Sequence, residues 1–342
     1  MRGKYEKTQK PLHKKFLIII TIVAALLLVA LAAAYFFADS FLNQINRIDG
    51  QQTHGGHETV FSEGDTIETD PVAEKAETLF QGKDVVNILL VGQDKRSGDA
   101  PERTDAMILC TINKAKKTLT MTSFMRDLWV YIPGMYNQRM NLPYMLGGFD
   151  LLNETLDYNF GLKADYNVEI DFSGFMKAID TIGGIELELT AKEAEYLNRR
   201  GNWGVEANCN WQLVEGMNLM TGSQALAYSR IRKIDSDFQR TNRHRKVLTV
   251  LLEKASSLNA TEMFAFAKEI IPMLSTDMKN SQMFGLILDV LPIINDLEIV
   301  SQRIPKNGQY SEANKNGAYV IVMDEKQLAA NKKLLAAAMV DD

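Results

Sequence analysis

The sequence predicts an α/β or α+β domain, a sheet covered by helices, set behind one N-terminal membrane-spanning helix. Three observations lead there. From residue 85 onward, apolar runs of strand length alternate with segments of helix length. Residues 16–38 (FLIIITIVAALLLVALAAAYFFA) carry no charge. Of 342 residues, 46% are hydrophobic and 24% charged, enough for a sizeable core, which excludes global disorder. Two cysteines and four histidines exclude a disulfide scaffold, a Cys-rich zinc module and a His-rich metal protein.

The N-terminus comes first. As a helix, Phe16–Ala38 would span about 34 Å, enough for a hydrocarbon core of ~30 Å. The run exceeds the ~7–15 apolar residues of a cleaved signal peptide, so it reads as a retained anchor. Residues 1–15 set six cations (Arg2, Lys4, Lys7, Lys10, Lys14, Lys15) against Glu6, net +5, so the rest of the chain sums to −10 within a total of −5. This basic tail is expected in the cytoplasm and the body outside it, a single-pass type II topology at the cell membrane. A basic stub on an acidic body argues against a nucleic-acid partner. Residues 39–83 read as an extracytoplasmic linker closing in a short helix over 72–80, and His54 and His57 in HGGH as solvated linker residues.

The domain is expected over 84–342. Strands are predicted at 85–92, 105–112, 118–124 and 127–132, the second and third joined by a turn through 113–117. A helix at 149–160 ends at Gly161, followed by a strand at 166–172, a helix at 173–182 and a strand at 185–189. Helices follow at 191–198, 222–228, 238–256, 261–274 and 281–294, then strands at 297–304 and 318–323 and a last helix at 325–339.

Charged residues concentrate in three segments. In GQDKRSGDAPERTD (92–105), Asp94 stands just past a strand end, with Arg103 and Asp105 at the entrance to the next. Strand ends of an α/β sheet gather ligands, and two carboxylates around a cation suit Mg²⁺ bridging to a phosphate. If extended, Arg103 and Asp105 share a side; the same loop also reads as an ordinary polar turn. Arg126–Asp127 lies in the turn after 118–124 and gains meaning if that turn lies beside Asp94. In 221–245, Arg230 and Arg232 project together if the preceding helix ends near them, and Asp237 fits an N-cap for the helix from Phe238. Arg240, Arg243 and His244 follow at i, i+3 and i+4, an anion site or a solvated basic face. The apolar segments 140–148, 172–182 and 273–291 suit a core or a tunnel for an isoprenoid chain. Cys110 and Cys209 suit a disulfide outside the cytoplasm, or two buried thiols.

Taken in order, NILLVGQDKR, RTDAMILCTIN, TSFMRDLWVYIP, RMNLPYMLGG, FSGFMKAIDTIGGIEL and ALAYSRIRKIDSDFQRTNRHR resemble the LytR–CpsA–Psr family of membrane-anchored cell-wall glycopolymer transferases. The likeness covers 85–245 and continues more weakly to about 335. It implies an α/β domain of α-β-α type with a mixed central sheet, holding a polyprenyl pyrophosphate lipid in an apolar groove. The implied reaction moves a glycopolymer, such as teichoic acid or capsule, from an undecaprenyl-pyrophosphate carrier to peptidoglycan. By position, Asp94 and Asp105 look like the acidic pair around Mg²⁺ (or Mn²⁺), either of them the base. Arg103, Arg126, Arg230, Arg232 and Arg240 look like the pyrophosphate clamp, with Asp237 in the same polar site. Met125 stands where the family has Pro, Arg139 where it has Lys, and His244 where Gln is common. A non-catalytic prenyl-phosphate scaffold and a carrier pyrophosphatase are the rival readings.

Overall fold

Nine residues with period-two burial form the centre of the main sheet. In β2 (Val85–Gln93), Val85, Asn87, Leu89, Val91 and Gln93 are buried, whereas the residues between them are half-buried. The computed structural model describes residues 38–48, 74–93, 104–199, 210–315 and 317–341. The chain divides into two units, Met1–Gln44 and Ile45–Asp342. In the first, residues 38–42 are helical. The expected span lies outside the described residues except for Ala38; among the described residues no helix is long and apolar enough to cross a membrane.

In the second unit, β2 pairs antiparallel with β3 (Thr104–Asn113), and β3 with β4 (Thr118–Phe124) across the expected turn. On the other side, β2 pairs parallel with β7 (Tyr166–Asp171). The edges are β11 (Glu298–Ile304), parallel to β4, and β10 (Leu274–Thr276) with β1 (Asn46–Arg47) beyond β7. The order is β1-β10-β7-β2-β3-β4-β11, a mixed sheet. Strands β7, β2, β4 and β11 run the same way, so their C-terminal ends share one edge with the start of β3. Short antiparallel pairs join β5 (Trp129–Tyr131) to β6 (Asn137–Arg139), β8 (Ile185–Leu189) to β9 (Gly216–Met220) and β12 (Ser311–Lys315) to β13 (Ala318–Val322).

One sheet face carries Leu89, Val91, Met107 and Leu109, closed by Leu152, Leu156 and Phe160 of α1 (Pro143–Phe160) and by the C-terminal helix, α8 (Glu325–Met339). Gly147 and Gly148 break α1, so its regular part begins at Phe149, where the sequence places it. Gly161 closes that helix in the left-handed region; a Cβ there would strike the carbonyl oxygen of Glu77. Residues 74–80 thus pack against the folded unit. Residues 74–80 are an extended strap rather than the end of a helix, bonded by Ala76 N–H to Tyr158 O (2.8 Å) and Leu79 N–H to Gly161 O (2.7 Å).

Between these elements run α2 (Phe172–Thr181), α3 (Ala191–Asn198), α4 (Gly222–Ser229), α5 (Asp237–Ser256), α6 (Ala260–Ile270) and α7 (Asn280–Val290). A second core joins Ile179 of α2, the β8–β9 pair, α3, α4 and Val247 of α5. The opposite sheet face, with Ile108, Cys110 and Met121, meets Leu248 and Leu252 of α5 and Leu286 and Val290 of α7. The helix expected over 261–274 stops at Ile270; a 3₁₀ turn holding Pro272 leads into β10, because proline lacks the N–H to continue. The helix expected over 281–294 likewise yields to a 3₁₀ turn at Leu291–Asp296, which holds Pro292.

Candidate functional site

The shared strand edge collects the polar residues. β2 stops at Gln93, one residue before Asp94; Asp94 and Arg103 themselves lie outside the described residues. Asp105 falls within β3 at a break in pairing: Gly92 faces Ala106 while Gln93 faces Thr104, which leaves Asp105 as the additional residue of a bulge.

Beyond β4 the chain turns through Met125, Arg126 and Asp127. Arg126 Nε donates to Asp127 Oδ2 (3.3 Å) and stands 3.7 Å from Asp237 Oδ1. Arg139 Nη1, from β6, lies 3.8 Å from Asp127 Oδ1. Arg240 Nη2 donates to Asp237 Oδ2 (3.3 Å) and lies 3.1 Å from Oδ1, with Arg240 only 1% exposed. A chain of alternating charge, Arg139–Asp127–Arg126–Asp237–Arg240, thus crosses the sheet end. Its two carboxylates fix the forks of three arginines. Asp237 is the first residue of α5 with Ser236 at the cap and no side-chain cap bond, so it does not act as the expected N-cap. Burial pushes the Asp237 carboxyl above its ordinary value, against the pull of Arg240, Arg126 and Arg232.

Arg230 caps the C-terminus of α4 and lies over the Phe172 ring, 4.9 Å from its centroid. Phe172 directly follows the end of β7, so Arg230 belongs to the same sheet edge. Arg232 is exposed and acts on the charge of Asp237.

The structure does not bring Arg243 into this cluster. Its Nε donates to Glu193 Oε1 (2.8 Å), its Nη1 to Asp235 Oδ1 and Ile231 O (both 3.2 Å), and its Nη2 to Asp235 Oδ2. It pins the 231–235 segment onto α3. Burial lowers its pKa, but Asp235 and Glu193 outweigh this and raise it. His244 Nε2 lies 2.9 Å from Ser229 O, at the last turn of α4. Met125 is fully buried, and its sulfur accepts from the Thr241 hydroxyl (3.5 Å), a packed substitute for the family's proline. Cys110 is a buried free thiol pushed up to about 12 by burial; Cys209 lies outside the described residues.

The metal expectation has a local test. The Gln93 amide, Thr104 Oγ1 and Ser123 Oγ are buried and make no hydrogen bond among the described residues. Gln93 and Thr104 face each other where β2 ends and β3 begins, next to Asp94 and Asp105 in the chain, and their oxygens suit a hard cation such as Mg²⁺ or Mn²⁺; Ser123 lies further along the sheet, opposite Ile108. Among the described residues no three His, Cys, Asp or Glu gather to hold a metal.

Sequence reasoning gave no role to Asp127, Arg139 or this buried polar trio. Asp127 was visible as half of an Arg–Asp dipeptide, a pattern too common to single out alone. Gln93, Thr104 and Ser123 read as ordinary strand residues.

The fold and site define a class. Residues 50–337 match the LytR_cpsA_psr family, and the chain belongs to it. It is 30% identical over 281 residues (78% of this chain, 81% of the relative) to the polyisoprenyl-teichoic acid–peptidoglycan teichoic acid transferase TagU of Oceanobacillus iheyensis. It is 28% identical over 258 residues (74% and 77%) to the polyisoprenyl-teichoic acid–peptidoglycan teichoic acid transferase TagT of Bacillus subtilis. The solved structure of the LytR-CPS2A-psr family protein YwtF (TagT) with bound octaprenyl pyrophosphate lipid shares the fold, with a TM-score of 0.57 at 23% identity, covering 79% of this chain and 98% of that one.

Proposed function

We propose that this chain is a membrane-anchored phosphotransferase that moves a glycopolymer from an undecaprenyl-pyrophosphate carrier to peptidoglycan. One observation carries the reading: an arginine cluster meets a half-covered apolar sheet face. Val86, Ile88 and Leu90 of the central strand are only half-buried, and α7, rich in Met, Phe, Leu and Ile, fully buries none of its residues. A prenyl chain suits that face, and a pyrophosphate the guanidinium groups at its end. The activities named for TagT and TagU agree with both features.

Arg126, Arg230, Arg232 and Arg240 hold the pyrophosphate, joined by Arg103, while Asp127 and Asp237 position the guanidinium forks. Asp94 and Asp105 would hold Mg²⁺ (or Mn²⁺), which offsets charge on phosphate oxygens when bound. A carboxylate of that pair takes the proton from an acceptor hydroxyl of peptidoglycan. The hydroxyl oxygen then attacks the phosphorus that bears the glycopolymer; the bond from that phosphorus to the bridging oxygen breaks, and undecaprenyl phosphate leaves. The uncharged run 16–38 anchors the chain, with the domain on the outer side of the cell membrane.

The test is reconstitution of the full chain with a lipid-linked teichoic acid precursor, peptidoglycan and Mg²⁺. Covalent attachment of polymer to peptidoglycan, with release of prenyl phosphate, is the expected result. Lipid uptake without attachment would overturn the transferase reading, and release of polymer to water would make the chain a pyrophosphatase. A C-terminal reporter active only outside the cytoplasm should be on; a silent one overturns the topology.

A further inference from the structure

A second cationic pocket of about 260 Å³ lies between α5, the edge strand β11 and α8. That is roughly nine times the ~30 Å³ share of one water in the liquid, room for a small polar group. Arg245, Arg303 and Lys306 line it with Asn242 and Asn307, and among the described residues no carboxylate does. Arg245 is 6% exposed; its Nε donates to Ser301 Oγ (2.7 Å), while its buried Nη1 makes no hydrogen bond among the described residues. Arg303 stacks on Phe238 at 4.2 Å, and its fork is held by Pro305 O and the Asn307 side chain.

A buried guanidinium beside a second one, with no counter-ion, is costly for a fold. Burial, and then the charge of Arg303, push Arg245 down to about 10. The pyrophosphate cluster shows the contrast, since Asp127 and Asp237 partly neutralise it. Among the described residues, none supplies the compensating anion. Arg245 stands five residues beyond Arg240 on α5, about 7.5 Å along the helix, and Phe238 directly follows Asp237. The pocket therefore adjoins the first site and is distinct from it.

We propose that this pocket binds a phosphodiester group of the glycopolymer, so that the enzyme selects a polymer with phosphate in its repeat over a neutral polysaccharide. The assignment of the anion to the polymer rests on the transferase reading; the presence of the subsite does not. Arginine forks and a lysine match phosphate oxygens in geometry and charge.

The test uses the full chain in detergent, a short poly(glycerol phosphate) oligomer, a neutral oligosaccharide of similar length and oligoglutamate. Octaprenyl pyrophosphate binding is measured alongside as the readout of the first site. The oligomer should bind, the neutral sugar should not, and oligoglutamate should bind at least tenfold more weakly. Lys306→Glu, at an exposed position, should weaken oligomer binding about tenfold while leaving octaprenyl pyrophosphate binding within twofold. Arg245→Met should do the same at matched thermal stability; should it fail to fold, Lys306→Glu decides. Unchanged oligomer binding in Lys306→Glu overturns the subsite, and equal binding of oligoglutamate overturns the phosphodiester assignment. Loss of octaprenyl pyrophosphate binding by the unmodified protein would instead strike the transferase reading.

Discussion

The two faces of the central sheet are built from the same strands and finished differently. Under α1 and α8, Leu89, Val91, Met107 and Leu109 are at most 1% exposed and touch a continuous core. On the reverse, Ile88 and Leu90 remain half-buried beneath α5 and α7 although the residues are as apolar. Apolar area left partly open in the middle of a sheet forgoes stabilisation of about 25 cal/mol per Å². Such an opening, ending at an arginine cluster, is where a binding groove is expected. The closed face holds the fold together, and the open face is available to a ligand.

The largest effect should fall on the closed face. Leu109→Ala should cost about 3–5 kcal/mol in denaturant unfolding, because both removed contacts and a cavity contribute. A cost below about 1 kcal/mol would mean that the face is not closed. Next is chemistry at the end of the open face. Asp105→Asn should lower glycopolymer transfer on the order of a hundredfold, about 2.7 kcal/mol of barrier, while lipid uptake and stability hold. An unchanged rate removes this carboxylate from the mechanism.

Arg126→Met should weaken polyprenyl pyrophosphate binding about tenfold through loss of charge-assisted bonds, and should affect long and short prenyl chains alike. Leu90 on the open face separates tail from head group. Leu90→Ala should cost about 1 kcal/mol or less, well below Leu109→Ala, since the side chain is only half-buried. Leu90→Trp should fold and take up geranyl pyrophosphate but reject octaprenyl pyrophosphate; equal uptake of both would place the chain elsewhere.

The smallest effect lies away from both faces, at Glu193. Burial pushes its carboxyl up, but the Thr190 backbone N–H and the Arg243 guanidinium outweigh this and hold it below the ordinary value. A lowered carboxylate stabilises the fold above its unfolded-state pKa and loses that contribution as pH falls through the folded value. Glu193→Gln should therefore be less stable than the unmodified protein at neutral pH, with the difference shrinking under acid in parallel thermal melts.

Much of this molecule was legible as periodicity. VVNILLVG, DAMILCTI and TLTMTSF became the three central strands because alternating or continuous apolar runs have few other stable uses. The crowding of arginines around the helix start at 237 was legible in the stretch 230–240. Less visible were short strands such as β10, only three residues long, which owes its place to pairing with β7 rather than to its own pattern. The strap at 74–80 likewise has no regular structure of its own and is held by bonds to Tyr158 and Gly161.

Composition and order of residues by themselves determined the sheet's central strands, the main helices, the uncharged N-terminal run and the family. Those features are local, set by spacing along the chain. Tertiary structure alone decided which arginines share a site. Arg240 and Arg243 are one helical turn apart and chemically identical, yet Arg240 faces Asp237 and the strand ends, while Arg243 is consumed by Glu193 and Asp235. The partners of Asp127 and Arg139, and the pocket that Arg245 lines, were decided there too. A guanidinium's function depends on which carboxylates the fold brings within about 4 Å, and those partners come from distant parts of the chain.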